Sequence, residues 1–276
     1  NSKVAISTQI QNVAPANKIL QTLRYATCTN ASMPLIASSV VAKKVATGSN
    51  NIIIDIKYGS GTAIKTIDKA NRLSDLIINT GKAFGKTITT IISSMDEPIG
   101  RAIGNSIEVI EAIEFLKGKI QNSDLAEIIY EIGSVTLLQL KRYDSKEKAV
   151  EYLKYLVNSG LALEKFREFI RIQKGNVKVL ESYDKFELPM HKIKCTAKSS
   201  GMVNHIDAYK IAYAGRLLGA SRDRMTEHID KSVGIFLNKK TGEQVNTEEA
   251  LFTLYANDLN KLEEIKEYCY TAFEII

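Results

Sequence analysis

The sequence predicts an α/β protein in which a parallel sheet flanked by helices is followed by a C-terminal α+β domain. Two apolar, β-branched runs, NIIIDI from residue 51 and TITTIISS from residue 87, are separated by a helical pattern, which is the spacing of a βαβ unit. Such a unit carries parallel strands and a right-handed crossover. From Gly104 to Gly175 the reading is helical, punctuated by Gly, Asn, Asp and Ser. Beyond residue 190 short strand patterns with turn residues return, and these define the C-terminal part.

Pro15 opens the first helix, PANKILQTLRYAT, because proline suits a first helical position whose N–H has no partner. A second helix, LIASSVVAKKVAT, follows Met33-Pro34 and stops at Gly48. Residues 52–56 read as a buried strand and 66–84 as an amphipathic helix with Ala70, Leu73, Leu76, Ile77 and Phe84 on one stripe. The helical stretch then divides into GNSIEVIEAIEFLKG, SDLAEIIYEIGSVTLLQL, SKEKAVEYLKYLVNSG and LALEKFREFIRIQKG. Composition changes over 177–190, where no period holds and Pro189 intervenes, so a boundary between a core domain (47–180) and a terminal domain (181–276) is placed there. Strands HKIKCTA, GMVNHID, GIFLNK and ALFTLYA follow, with a helix in DAYKIAYAGRLLG. A final amphipathic helix sets Leu259, Leu262, Ile265, Cys269 and Phe273 on one face.

At 276 residues, 45% hydrophobic and 25% charged, the chain has the composition of a globular protein rather than a disordered one. Three widely spaced cysteines, Cys28, Cys195 and Cys269, form no metal-binding spacing and suit a reducing cytoplasm. Apolar runs break well before about 18 residues, so no membrane span is expected, and NSKVAISTQ lacks the apolar region of a secretion signal. It also lacks an initiator Met, which suggests a start inside a longer product. The net charge is +6, and residues 1–50 hold Lys3, Lys18, Arg24, Lys43 and Lys44 without one Asp or Glu. Aromatic residues do not alternate with these cations as in a surface that tracks a nucleic-acid strand, Tyr25 being the one aromatic in residues 1–50, so a small anionic ligand is the better match.

Ser39 and Lys43 stand four apart on a helix, one turn above the other, and Arg24 lies in the preceding helix. Periodicity alone favours a solvated face for Ser39 and Lys43, but the surrounding LIASSVVA is too apolar to be simply exposed, so a cleft that also takes the Arg24 guanidinium is the alternative. Gly59-Ser60-Gly61 either offers N–H groups to an anion or makes a turn needing positive φ; as a phosphate motif it is weak. In DEPIGRAIGNSIEVIEAIEF a Pro-Gly loop precedes a helix, and carbonyls near Ile99 and Ala102 together with Glu111 form an oxygen set for a monovalent cation. Glu108 and Glu111 share a helix face, and from the residues alone they read first as salt-bridge partners for Lys or Arg. His191, His205 and His228 have no common spacing and suggest no catalytic triad.

Taken in order, APANKILQTLRYAT, MPLIASSVVAKKVATGS, DIKYGSGTAIK, MDEPIGRAIGNSIEV and ALEKFREFI resemble the pyrimidine-nucleoside phosphorylase and thymidine phosphorylase family. The segments SSGMVNHIDAYKIAYAGRLLGASR and HIDKSVGIFLNKKTGEQV are similar to its C-terminal domain. The resemblance implies a pentosyltransferase that splits uridine, thymidine or deoxyuridine with phosphate as co-substrate and no organic cofactor, acting in pyrimidine salvage as a cytoplasmic homodimer. By the same resemblance Arg24, Ser39 and Lys43 hold the base, with Arg24 and Lys43 catalytic, and potassium or another monovalent cation sits at Ile99, Ala102 and Glu111. Residues 16–46 would be part of a small helical lobe and 1–15 the edge of the α/β domain, with hinges near 14–16 and 46–50. The family's Gly-rich phosphate segment with its Lys-His-Ser-Thr run is expected upstream of Asn1. Asn17, Tyr25, Ser94 and GSGTAIK depart from the family pattern, where Asp, Asp, the Asp of an Asp-Met pair and GSGAFMK are usual. A non-catalytic paralogue and an AMP phosphorylase are the alternatives.

Overall fold

A computed structural model describes residues 3–6, 14–221, 228–260 and 262–276. The expected domain edge at 1–15 therefore lies largely outside the described residues. In chain order the elements are α1 (Pro15–Ala26), α2 (Met33–Ala46), β1 (Asn51–Tyr58), α3 (Ile67–Ala83), β2 (Thr87–Ser94), β3 (Ala102–Ile103) and α4 (Asn105–Leu116). They continue with α5 (Asp124–Gln139), α6 (Lys146–Asn158), α7 (Leu161–Ile172), β4 (His191–Thr196), β5 (Gly201–Ile206) and α8 (Ala208–Leu217). Last come β6 (Gly234–Leu237), β7 (Gln244–Val245), β8 (Ala250–Ala256), α9 (Leu262–Tyr270) and β9 (Phe273–Ile275). The chain forms two compact units: the described residues up to Ser94 with Glu127–Tyr155, and Met95–Ala126 with Leu156–Ile276.

In the first unit β1 and β2 pair in parallel, from Asn51 opposite Thr87 to Tyr58 opposite Ser94. The alternation of β1 buries Ile52, Ile54 and Ile56 on one face and leaves Asp55 and Lys57 on the other. These isoleucines share a core with Ala70, Leu73 and Ile77 of α3, Ile88 of β2, and Ala37 and Val41 of α2. The Thr66 hydroxyl caps α3 by accepting from the Lys69 N–H. The buried line on α3 is Ala70, Leu73, Ser74, Ile77 and Gly81. Leu76 is 37% exposed and Phe84 60%, which corrects the expected stripe. Leu76 is about 100° around the helix from Ile77, and Phe84 lies past the last turn. Gly81 is where α3 comes close to the sheet, since a Cβ there would stand 2.3 Å from Ile88 Cδ1.

The second unit contains two antiparallel sheets, ordered β3-β6-β8-β4 and β7-β5-β9. Its core gathers Val203, Ile206, Ile211, Ile235, Leu237, Phe252 and Leu254 with Cys195 and Cys269. Strand β8 buries consecutive residues from Leu251 to Leu254, which means that both of its faces are covered. The unforeseen strand β3 joins Ala102 to Phe236 of β6 and brings the loop before α4 to this sheet. Close approach explains the glycines at the junction: a Cβ on Gly234 would stand 2.4 Å from the Ile103 carbonyl oxygen. The expected face of the last helix is also corrected. Leu259 precedes α9 and is 50% exposed, whereas Phe273 leaves the helix to pair with Ile206 in β5.

Candidate functional site

In the first unit α1 and α2 carry Arg24, Ser39 and Lys43. On α2 the fully buried positions are Ala37 and Val41. Ser39 and Lys43 fall two residues further on, roughly 200° around the helix, and are half-buried. Lys43 releases its proton more readily than an ordinary lysine, first because burial disfavours the ammonium and then because Lys44 and Arg24 repel it. The Arg24 guanidinium spans the turn between the helices, donating through Nη2 to the Asn30 carbonyl at 2.7 Å and through Nη1 to the Leu35 carbonyl at 3.3 Å. Its Nε and the Nδ2 of buried Asn17 are buried donors without a hydrogen-bond partner among the described residues. Asn17 and Arg24 are seven apart and share a face of α1.

The same unit holds a cluster that the sequence reading missed. Lys57 Nζ is 2.5 Å from Asp55 Oδ2 and 2.8 Å from Ser93 Oγ, and the Ser93 hydroxyl donates to Asp55 Oδ1 at 2.7 Å. The signal was present: residues i and i+2 of a strand share a face, and the parallel register sets Lys57 opposite Ser93. The loop after β1 is a closed turn. Gly59 has φ +119°, its N–H donates to the Ile64 carbonyl at 2.9 Å, and Lys65 Nζ donates to the Ser60 carbonyl at 3.0 Å.

The loop before α4, in the second unit, carries Ile99 and runs into Ala102 of β3, and Glu111 reaches its main chain from α4. Glu111 accepts the Arg101 N–H at 2.7 Å through Oε1 and the Ala102 N–H at 3.3 Å through Oε2. Burial raises its carboxyl above the ordinary range; the two N–H groups and Lys240 pull it down, while Asp124 pushes it up. Gly100, at φ +72°, sits against this carboxylate, and its N–H donates to Asp124 Oδ2 at 3.1 Å. Sequence reading gave no sign of Lys240, which reaches the loop from the turn after β6 and is only 8% exposed. Its ammonium donates to the carbonyls of Pro98 and Gly100 and to Asp124. Arg101 pairs with Glu243 beside it. Burial alone would raise the Glu243 carboxyl, but the Arg101 guanidinium and the Lys240 N–H hold it below the ordinary range. Gly100, Arg101, Glu111, Asp124, Lys240 and Glu243 line a cavity of about 1110 Å³, and Ile99 and Ala102 are not among its lining residues.

As a metal site the loop is a partial fit. It has a carboxylate and main-chain carbonyls for a monovalent cation, but each Glu111 oxygen already accepts an N–H, and the neighbouring carbonyls of Pro98 and Gly100 accept from the Lys240 ammonium. Among the described residues no group of three or more His, Cys, Asp or Glu is placed to bind a metal. None of the described helices is long and apolar enough to cross a membrane.

A family model described as the glycosyl transferase family, a/b domain, matches residues 1–163. A second, the pyrimidine nucleoside phosphorylase C-terminal domain, matches residues 202–276. The pyrimidine-nucleoside phosphorylase of Staphylococcus haemolyticus (strain JCSC1435) is 39% identical over 266 residues, covering 96% of this chain and 61% of that protein. The protein of the same name from Staphylococcus aureus (strain USA300) is 40% identical over 256 residues, covering 93% of this chain and 59% of its own length. The chain thus spans about six-tenths of the length of these curated relatives.

Proposed function

Because the chain belongs to the pyrimidine-nucleoside phosphorylase family of glycosyl transferases, we propose that it serves the reversible phosphorolysis of uridine, thymidine or deoxyuridine. The products are the free base and ribose or deoxyribose 1-phosphate, phosphate is the co-substrate, and no organic cofactor enters. The C1′–N1 bond breaks while a phosphate oxygen bonds to C1′, and the electron pair of the broken bond passes to the base. Negative charge then grows on the carbonyl oxygens of the leaving pyrimidine, which becomes the free base when N1 takes up the proton that the attacking phosphate gives up. Donors that bind this charge more tightly than the neutral nucleoside lower the barrier.

Arg24 and Lys43 supply those donors and Ser39 adds a hydroxyl; all three hold the base. The observation that carries this reading is a buried Arg24 Nε without a partner on α1, with Lys43 half-buried on the adjacent α2, where burial first and the charges of Lys44 and Arg24 after it disfavour its ammonium. The loop of Ile99 and Ala102 with Glu111 is, in the same proposal, a site for one positive charge. A homodimer fits the exposed apolar residues Ile19, Leu20 and Leu23 of α1, and a reducing cytoplasm fits the three free cysteines.

The test is phosphate-dependent release of uracil or thymine by the intact protein, followed by ultraviolet absorbance, with pentose 1-phosphate measured in parallel. Lys43→Ala should lower kcat/KM on the order of 10²-fold, as loss of one charge-stabilising donor does. No base release, or an unchanged Lys43→Ala variant, would overturn the assignment. Release of adenine from AMP instead would transfer the reading to an AMP phosphorylase.

A further inference from the structure

The two units carry unlike charge. The first, residues 2–94 and 127–155, holds 16 Lys and Arg against 8 Asp and Glu, a net +8, and the rest of the chain holds 21 against 23, a net −2. Pairing differs in the same sense. In the second unit Arg101, Lys119, Arg167, Lys198, Lys239 and Lys240 each stand within ion-pair distance of a carboxylate. In the first, the ion pairs among the described residues are Lys57 with Asp55 and Lys146 with Glu131. Lys18, Lys44, Lys65, Lys69, Arg72 and Lys82 are exposed there and form none among the described residues.

Helix ends account for only some of these cations. Lys44 and Lys82 lie in the last turns of α2 and α3, where a cation complements the helix dipole. Lys18 is the fourth residue of α1 and Lys69 the third of α3, at the ends where a cation opposes the dipole. Local stability therefore favours the opposite sign at both positions. Asp68 and Asp75, the carboxylates of α3, do not balance its three cations.

We propose that this unpaired positive charge is a collecting field for the anionic co-substrate, phosphate, around the site at Arg24, Ser39 and Lys43. The proposal rests on the reading of the protein as a nucleoside phosphorylase and concerns how phosphate arrives rather than which groups hold it. A surface potential of one sign raises the local concentration of a counter-ion and its rate of capture, and the effect fades as salt shortens the screening length to about 8 Å at physiological ionic strength. Uridine is neutral and gains nothing from such a field. In the reverse direction pentose 1-phosphate is the anion collected.

The experiment measures kcat/KM of the intact protein for phosphate and for uridine, each at saturating co-substrate, from about 0.02 to about 0.3 M ionic strength set with choline chloride at fixed potassium. The value for phosphate should fall at least about 3-fold, and that for uridine should change less than about 1.5-fold. The double variant Lys18→Glu, Lys69→Glu brings the first unit from +8 to +4. Both positions favour an anion by the dipole, and at 69 a glutamate completes a capping box with Thr66, so the variant should fold as well as the wild type. At low salt its kcat/KM for phosphate should lie at least about 3-fold below wild type, with kcat and the uridine KM unchanged, and the two proteins should converge at high salt. A protein that is active but whose phosphate kcat/KM ignores salt, or a double variant that matches the wild type at low salt, would overturn the proposal and leave the phosphorylase reading standing. Equal factors lost by both proteins as salt rises would also overturn it, because chloride would then be competing at the phosphate site itself. No base release at any ionic strength would instead defeat the phosphorylase reading, and the proposal with it.

Discussion

Replacing Gly100 by alanine should destabilise the protein by about 2.5–5 kcal/mol, and the structure separates that cost into two parts. Gly100 has φ +72°, where an L-residue costs roughly 1–2 kcal/mol. The added Cβ would also stand 2.5 Å from Glu111 Oε2, so the carboxylate must retreat. Retreat breaks at least one of its bonds from the Arg101 and Ala102 N–H groups, and a hydrogen bond to a charged group contributes about 1.5–3 kcal/mol. Gly160 is the control. It belongs to the same compact unit, has φ +79°, and a Cβ there would meet nothing within 4 Å. Gly160→Ala should therefore cost only the backbone share, about 1–2 kcal/mol. Urea unfolding followed by circular dichroism and tyrosine fluorescence measures both, since the sequence has 12 Tyr and no Trp. If the two variants lie within about 0.5 kcal/mol of each other, Glu111 is not held against Gly100 and the loop geometry is wrong.

Lys43 gives a pH-dependent outcome. Its folded proton affinity is lower than that of the unfolded chain, so the penalty on the ammonium is present at neutral pH and is relieved as pH rises from the folded pKa toward 10.5. The buried tyrosines and thiols act in the opposite direction in that range, so the measurable quantity is the stability difference between Lys43→Met and wild type, which should shrink with rising pH; a pH-independent difference would remove the burial argument. Thiol chemistry gives another outcome. Burial pushes Cys195 up to about 11 and Cys269 up to about 12, whereas Cys28 is exposed. A thiol reagent near pH 8 should modify one cysteine in the folded chain and three after denaturation; rapid reaction of a second thiol would contradict the buried core.

The fold was legible where local pattern and tertiary packing agree. Strands β1 and β2 are long apolar runs, α2 stops beside a glycine at φ +76°, and Thr66 caps α3, so each announces itself without help from distant residues. Strands β3 and β7 are two residues long and exist because β6 and β5 pair with them, a dependence that no local pattern carries. Phe273 continued the apolar spacing of α9 but was taken by the sheet, because pairing with Ile206 outweighs one more helical turn. At the candidate sites, Arg24, Ser39 and Lys43 were readable because helical spacing is short-range. Asp55, Lys57 and Ser93 were readable in principle from strand alternation and register. Lys240 was not, since its partners are more than a hundred residues away along the chain.

That distance bears on how the protein is made. The Gly100 carbonyl and the Lys240 ammonium are 140 residues apart in sequence, and β3 finds its partner only in β6. At synthesis rates of about 5–20 residues per second, several seconds pass between the emergence of the loop and that of the lysine. During that interval Asp124, Glu97 and the bare carbonyls face water or whatever cations the cell offers. Translation order therefore makes this loop one of the last parts of its unit to settle, and long-range closure of this kind is slow compared with forming a helix. A nascent chain halted before residue 240 would carry helix α4 and an acidic loop still waiting for its counter-charge.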